Sequence, residues 1–191
     1  VAALAASLSA ALTAMVPALT HGKKGFKAVK AEMNEVASAA QRLKDHYRDV
    51  IDRDTEAFNE VMAAFRLPRG DDAECRARDA AISEANKGAT RVPFALLRSI
   101  AEDLPALIEA IIERGNPNSL SDAGVAALMA RAGLEGAYLN VGINLAGMAD
   151  ESDAATKRFV AETGAAAKGF YEAGAQRLDE LAARVRGRVI S

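Results

Sequence analysis

The sequence predicts an all-α protein, and three observations lead to that prediction. The chain of 191 residues contains 44 alanines, whereas aromatic residues make up only 5% of it. Alanine favours helices and their close approach, while the β-branched and aromatic residues that strands prefer are few. Apolar residues also recur every three or four positions through several long segments. Because the length suits one domain with a real core, we predict a single helical domain over residues 1–191.

The charges and the cysteine count argue against several classes of function. Lys and Arg number 24 against 26 Asp and Glu, and the two signs are interspersed. The sequence therefore contains no basic stripe of the kind that would indicate a nucleic-acid partner. Cys75 is the single cysteine and there are two histidines, so an internal disulfide or a Cys/His zinc cluster cannot be assembled. We expect no metal site and a reducing, cytoplasmic setting.

The first segment, residues 1–20, is apolar enough to raise the question of a membrane span. Polar residues and a proline dilute it (Ser7, Ser9, Thr13 and Pro17). We therefore predict a buried helix that ends near Pro17, and no membrane association. Its large apolar residues recur at helical spacing (Val1, Leu4, Leu8, Leu12, Met15 and Leu19).

A short basic loop follows this helix and carries Lys23 and Lys24 between two glycines. Two lysines in such a loop could bind a carboxylate or a phosphate. An ordinary solvated turn is the commoner explanation for such a loop.

A long helix is predicted from about Lys27 to Arg66. Its apolar stripe includes Val50, Phe58 and Phe65, and Asp54 occupies a position where the period calls for an apolar side chain. A buried carboxylate must be paired, hydrogen-bonded or protonated, so Asp54 is a candidate acid or base. The alternative is a stripe that shifts to Ile51 and Thr55 and leaves Asp54 on a solvated face.

Two more helical segments are predicted beyond the loop of residues 67–75. The first runs from about Arg76 to Glu113, with Ile82, Ala85 and Ala89 among its inward residues, and Pro93 and Pro105 should divide it into two or three pieces. The last follows Asp150 and reaches about Val189. It is predicted to be an outer helix or an oligomer contact.

The stretch from Arg114 to Met148 departs most from what folding alone requires. From Leu120 onward it is apolar or small on every face, which predicts a buried central helix. Ser119 and Asp122 match a capping box, and Arg131 and Glu135 have the spacing of an ion pair. Those features leave four amides without a structural explanation, namely Asn116, Asn118, Asn140 and Asn144, of which the last two lie one helical turn apart.

Four segments together resemble the cyclodeaminase/cyclohydrolase family that acts on one-carbon tetrahydrofolates. In order they are VAALAASLSAALTAMV, LTHGKKGF, DRDTEAFNEVMAAFRLP and GNPNSLSDAGVAALMARAGLEGAYLNVGINL, so the likeness extends over nearly the whole chain. The resemblance implies a compact bundle of about five long helices. It also implies a homodimer that works without a metal or redox cofactor.

The resemblance also implies a function. Family members either close 5-formiminotetrahydrofolate to 5,10-methenyltetrahydrofolate with loss of ammonia, or interconvert the methenyl form and 10-formyltetrahydrofolate. The GAYLNVGIN run favours the cyclodeaminase, which we predict, with the cyclohydrolase as the alternative. A non-catalytic folate-binding or scaffold oligomer is a further alternative from another class.

Roles in the predicted site follow from the resemblance and from simple chemistry. Ring closure needs one carboxyl group that shuttles protons, and Asp122 is the first candidate for it, with Asp54 the second. Amides can meet both donors and acceptors on a pterin edge, which suits Asn116, Asn118, Asn140 and Asn144. Lys23 and Lys24 suit the carboxylates of the glutamate tail.

Overall fold

A computed structural model describes residues 1–20, 26–149 and 153–190. Within these ranges the chain forms α1 (Ala2–Thr20), α2 (Lys30–Phe65), α3 (Asp72–Arg114), α4 (Leu120–Ala146) and α5 (Ala154–Val189), and it contains no strand. Short 3-10 turns at Lys27–Val29 and Pro117–Ser119 lead into α2 and α4. The predicted all-α helical bundle is confirmed.

Helix α4 occupies the centre of the bundle. It packs against α1, α3 and α5, while α2 covers the other side of α1 and α3. Helices α1 and α4 are antiparallel, because Ala2 lies against Gly136 and Thr20 bonds to Asn116 at the opposite end. The start of α1 therefore lies beside the second half of α4, and the end of α1 lies beside the start of α4.

Small residues form the inner faces of α1 and α4. A side chain at Gly133 would come within 3.1 Å of the Ala2 carbonyl oxygen, so the two backbones are nearly in contact. The large apolar residues therefore point outward and are exposed (Leu4, Leu8, Met15, Leu19, Val125, Leu128, Leu139 and Ile143). The sequence predicted a buried first helix with its large apolar residues inward, and a central helix buried on every face. One face of each helix is exposed instead, because alanine and glycine allow closer packing than leucine does.

Helix α1 is long and apolar enough to cross a membrane by length and composition, and half of its most apolar stretch is buried in the bundle. It continues to Thr20 through Pro17, which is itself buried, instead of ending near the proline.

Helix α3 is continuous from Asp72 to Arg114, although Pro93 and Pro105 lie inside it. The prediction that the prolines divide it was therefore wrong. Both prolines are buried. Neighbouring helices hold the segment in helical conformation where an isolated peptide would bend or break.

The start of α4 differs from the predicted capping box. Ser119 is its N-cap residue but makes no side-chain capping bond. Instead, the backbone amide of Ser119 donates to the Asn116 carbonyl, 2.8 Å away, in the preceding turn. The predicted ion pair further along α4 is confirmed, with a distance of 2.7 Å between Arg131 Nη1 and Glu135 Oε2.

Candidate active site

A polar cleft opens where α2, α3 and α4 meet. It consists of two cavities of about 320 Å³ and about 190 Å³, and Asp54 and Asn140 line both of them. The larger cavity is completed by residues of three helices (Phe58, Val61, Asn86, Ala89 and Asn144). The smaller one extends toward the start of α1 and is mainly apolar in its side chains. We call the two cavities together the Asp54 cleft.

Asp54 lies in register with the buried stripe of α2. Val50 and Ala57 are buried, and Asp54 falls four residues after the first and three before the second, on the same helix face. The alternative stripe is excluded, because Ile51 and Thr55 are exposed. Asp54 is nevertheless exposed, as the alternative interpretation expected, since the neighbouring helices leave the cleft open at this point.

Two aromatic residues of the apolar stripe predicted for α2 are exposed on the surface of the bundle. Phe58 is 61% exposed and Phe65 48% exposed, whereas the buried residues of this half of the helix are Ala57 and Ala64. Alanines occupy the inner face for the same reason as in α1. Because Phe58 does not face the core, its side chain lines the larger cavity.

The two amides of α4 meet Asp54 at this cleft. Asn140 and Asn144 are one helical turn apart, and both line the larger cavity. The Nδ2 of Asn144 donates to the carbonyl oxygen of Ala89 in α3 at 3.1 Å. Its Oδ1 is not used in that bond and is available as an acceptor.

Reasoning from the sequence missed two residues of the cleft, Asn86 and Phe58. Asn86 lies four residues after Ile82 and three before Ala89, so it shares a face with residues that were predicted to point inward. A polar residue at that spacing was the available signal. Phe58 was noticed, but as a core residue.

Asp122 lies at the opposite end of α4. It is half-buried in the first turn of the helix and forms no hydrogen bond or ion pair with the described part of the chain. Eighteen residues separate it from Asn140, which corresponds to about 27 Å along the helix. Contrary to the expectation from the sequence, a single chain therefore does not bring Asp122 together with Asn140 and Asn144.

Asn116 and Asn118 lie near Asp122, and Asn116 has structural partners. The backbone amide of buried Asn116 donates to Thr20 Oγ1 at 3.0 Å, and its Nδ2 donates to the Leu19 carbonyl at 3.4 Å. Its Oδ1 accepts from the backbone amide of Asn118 at 3.1 Å. Asn116 thus fastens the turn before α4 to the end of α1. The predicted ligands Lys23 and Lys24 lie outside the described residues.

The Asp54 cleft combines one carboxylate with three amides and one exposed aromatic ring. The carboxylate can transfer a proton, the amides can donate to and accept from a polar heterocycle, and the ring offers an apolar face. Of the eight residues predicted for the site, the structure brings together Asp54, Asn140 and Asn144.

Comparison with known proteins identifies the family. The family model for formiminotransferase-cyclodeaminase matches residues 1–163. The chain is 41% identical over 176 residues to a methenyltetrahydrofolate cyclohydrolase of Methylorubrum extorquens, covering 90% of the chain and 84% of that protein. It is 34% identical over 151 residues to the formimidoyltransferase-cyclodeaminase of Rattus norvegicus, covering 79% of the chain but only 28% of that longer protein.

A solved structure has the same fold. It is the crystal structure of a formiminotetrahydrofolate cyclodeaminase from Thermotoga maritima, which matches with a TM-score of 0.74 and 27% sequence identity over 96% of this chain and 86% of the other. The family model and the relatives agree with this match. The chain therefore belongs to the formiminotransferase-cyclodeaminase family of enzymes.

Proposed function

We propose that the enzyme opens or closes the 5,10-methenyl ring of a tetrahydrofolate derivative at the Asp54 cleft. The observation that carries the proposal is the convergence of Asp54, Asn140 and Asn144 on one cleft in a chain of this family. The amides suit the donors and acceptors of a pterin edge, and Phe58 suits the apolar face of its ring. The reaction uses only the folate, water or ammonia, and side chains of the protein.

In the cyclohydrolase reaction, water adds to the carbon between N5 and N10 of the methenyl cation. Asp54 takes one proton from the water as the new carbon–oxygen bond forms. The resulting carbinolamine loses its hydroxyl proton, the bond from carbon to N5 breaks, and N5 gains a proton. The products are 10-formyltetrahydrofolate and one proton released to solvent.

In the cyclodeaminase reaction, N10 attacks the carbon of the protonated formimino group of 5-formiminotetrahydrofolate, which leaves an amino group on the tetrahedral carbon. The proton of N10 moves to the amino nitrogen of the tetrahedral intermediate, and the carbon–nitrogen bond then breaks to release ammonia. A single carboxylate beside both nitrogens can carry that proton. The same cleft therefore fits either reaction, because each passes through a tetrahedral carbon bonded to N5 and N10.

The choice between the two reactions rests on sequence. The GAYLNVGIN run favours the cyclodeaminase, as predicted from the sequence. The higher identity to the cyclohydrolase over most of its length favours the hydrolase. We therefore propose the cyclohydrolase as the first reaction to assay and keep the cyclodeaminase as the second.

Near-ultraviolet absorbance of the methenyl compound tests both reactions. A cyclohydrolase should accelerate the loss of absorbance from added 5,10-methenyltetrahydrofolate above the buffer rate. A cyclodeaminase should generate the same absorbance from 5-formiminotetrahydrofolate and release ammonia in equal amount. Activity in neither assay would contradict the proposed function.

The role of Asp54 is tested by Asp54→Asn, which removes the proton carrier and keeps the shape of the side chain. We expect kcat to fall by about 100-fold or more. The matched control is Asp52→Asn, because Asp52 is exposed on the same helix and lies outside the cleft. Equal effects of the two substitutions would remove Asp54 from the proposed mechanism.

We also propose that the enzyme is a homodimer. The exposed apolar side chains of α1 and α4 support this, because monomeric proteins rarely expose a long contiguous apolar surface. Light scattering coupled to size-exclusion chromatography should give twice the mass of the chain.

A further inference from the structure

The outward face of α4 has the pattern of a helix that pairs with another helix. Val125, Leu128, Ala132, Leu139 and Ile143 are exposed and follow one another at intervals compatible with a single seam. The intervals are 3, 4, 7 and 4 residues, and the interval of 7 spans two steps with Gly136 between them. With that step counted, the spacing follows the 3.5-residue repeat of helix pairs that pack knobs into holes. The charged residues next to the seam, Arg131 and Glu135, neutralise each other by their own ion pair.

The exposed apolar surface is large enough for a second protein chain. The seam is about 27 Å long, and the exposed leucines of α1 extend it to a width of two helices, about 540 Å² in projection before the relief of side chains is counted. Standard interfaces bury about 800 Å² of accessible surface on each partner. A groove of about 600 Å³ between α4 and α5, lined by Leu139, Gly142 and Gly164 among others, adjoins the seam and could accept a protruding side chain.

The order of residues along the seam favours a second copy in antiparallel orientation. Val125 and Ile143 lie nine residues on either side of position 134, and Leu128 and Leu139 are centred on nearly the same point. A two-fold axis can pass between the two copies of α4 at the level of residue 134, perpendicular to the plane that contains both helices. It would place Val125 against the partner's Ile143, and Leu128 against the partner's Leu139. Such a surface is complementary to itself, as a two-fold interface requires.

The same axis relates the two separated groups of candidate site residues. Eighteen residues are five full turns, so Asp122 and Asn140 lie on the same edge of α4. This edge faces α1, because the cavity beside Asn140 is also lined by Ala2 and Ala3. In the antiparallel pair Asp122 lies level with residue 146 of the partner, within about 3 Å of rise of the partner's Asn144 and about 9 Å of the partner's Asn140.

We propose that each active site is shared between two copies of the chain, with the Asp54 cleft of one protomer completed by Asp122 of the other. Asp122 is half-buried, and it forms no hydrogen bond or ion pair with residues 1–20, 26–149 or 153–190 of its own chain. The partner thus supplies a second carboxylate to the wall opposite Asp54. The activity readout of this inference rests on the proposed folate function, whereas the pairing of the helices does not.

Complementation between two inactive variants tests the shared site. Asp54→Asn and Asp122→Asn homodimers should each lose about 100-fold or more in kcat. A heterodimer purified with two different tags contains one cleft with both carboxylates and one with neither. It should therefore recover about half of the wild-type kcat per dimer, because one of two symmetry-related sites is intact.

A second heterodimer is the matched control. Asp54→Asn paired with Asp54→Ala removes the Asp54 carboxylate from both clefts, so neither cleft is intact and no recovery is expected. If the Asp54→Asn/Asp122→Asn heterodimer is no more active than its parents while the wild type is active, the shared site is disproved. A wild type inactive on both folates would count against the proposed function instead.

Cross-linking tests the pairing without any activity measurement. In a Cys75→Ser background, Val125→Cys together with Ile143→Cys should give a disulfide-linked dimer on mild oxidation, because the two positions face each other across the axis. Val125→Cys alone should not, since its counterpart lies at the far end of the interface. Absence of the covalent dimer from the double variant, or equal cross-linking of the single variant, would contradict the antiparallel arrangement.

Discussion

Asn144 of α4 donates a hydrogen bond of 3.1 Å to the backbone carbonyl of Ala89 in α3. In a regular helix that carbonyl would accept from the amide of the residue four positions later, which here is Pro93 and has no N–H. The side chain of Asn144 therefore replaces the bond that the proline removes. This contact helps explain why α3 continues through Pro93, and it anchors one amide of the cleft.

Asn144→Ala should lower the free energy of unfolding by about 1 kcal/mol, because the partly buried Ala89 carbonyl loses its hydrogen-bond donor. In a Pro93→Ala background the restored amide of residue 93 can bond to Ala89, so the same substitution should cost less. Chemical denaturation of the four proteins gives the coupling energy, which we expect to be about 0.5 to 1 kcal/mol. A coupling of zero would show that Asn144 does not compensate for the proline.

Asn140 should affect substrate binding more than the chemical step. It is exposed and lines both cavities of the Asp54 cleft, where the proposed function puts the pterin edge. Asn140→Ala is expected to raise KM about 10-fold, the equivalent of one hydrogen bond, with a small change in kcat. Asn59→Ala is the control, since Asn59 is exposed on α2 outside the cleft. A large fall in kcat at unchanged KM would instead indicate a role in the reaction itself.

Gly115 allows the end of α3 to pack against α1. An added Cβ would lie 2.4 Å from the Ile111 carbonyl oxygen and 2.8 Å from Val16 Cγ1, closer than such atoms approach in proteins. Gly115→Ala should therefore reduce the free energy of unfolding by about 1 to 3 kcal/mol. Gly169→Ala on α5 is the control, because nothing lies within 4 Å of its added Cβ, and it should stabilise the helix by up to about 1 kcal/mol. Thermal unfolding of both variants compares the two effects.

Asp153 gives α5 a pH-dependent start. It accepts hydrogen bonds from the backbone amides of Ala155 and Thr156 at 2.8 Å and 3.0 Å. A hydrogen bond from the Thr156 side chain, followed by these backbone bonds, holds the pKa of Asp153 below its usual range. Because the folded pKa is the lower one, the stabilisation is present above the ordinary carboxyl value of about 3.9 and is lost as the pH falls through the folded value.

Two substitutions separate the charge of Asp153 from its capping bonds. At neutral pH, Asp153→Ala should lower Tm more than Asp153→Asn, since asparagine also caps helices. The difference in Tm between wild type and Asp153→Asn should shrink when the pH is lowered below about 4. A difference that grows on acidification would contradict the direction of the pKa shift.

The sequence was sufficient for the fold class, for two of the long helices and for the family. Alanine content and apolar periodicity predicted the long α2 and the last helix close to their observed bounds, and the motif series predicted the family that the comparisons then identified. It also identified Asp54 as a carboxylate at the spacing of the apolar stripe of α2, and it left open whether the side chain is buried or solvated. These properties depend on local spacing and on residue type, both of which can be seen in the chain itself.

The sequence did not show which apolar residues are buried. Leu139 and Ile143 of α4 are 61% and 72% exposed, while Ala137 of the same helix faces the neighbouring helices and is fully buried. Hydrophobicity ranks leucine as the core residue, but helices that approach closely can accommodate only small side chains between them. The inward faces of α1, of α4 and of the second half of α2 follow this rule, which reverses the predicted orientation of several large residues there. In the first half of α2, Met33, Tyr47 and Val50 are buried as the periodicity predicted.

By itself, the sequence determined an all-α member of this family and a set of acidic and amide residues suited to proton transfer and pterin binding. Only the tertiary structure decided that Asp54, Asn86, Asn140 and Asn144 share a cleft while Asp122 lies at the other end of α4. The physical reason is that the period of a helix specifies the face on which a residue lies. The distance between residues on different turns, and the helix that each face meets, depend on how the whole bundle packs.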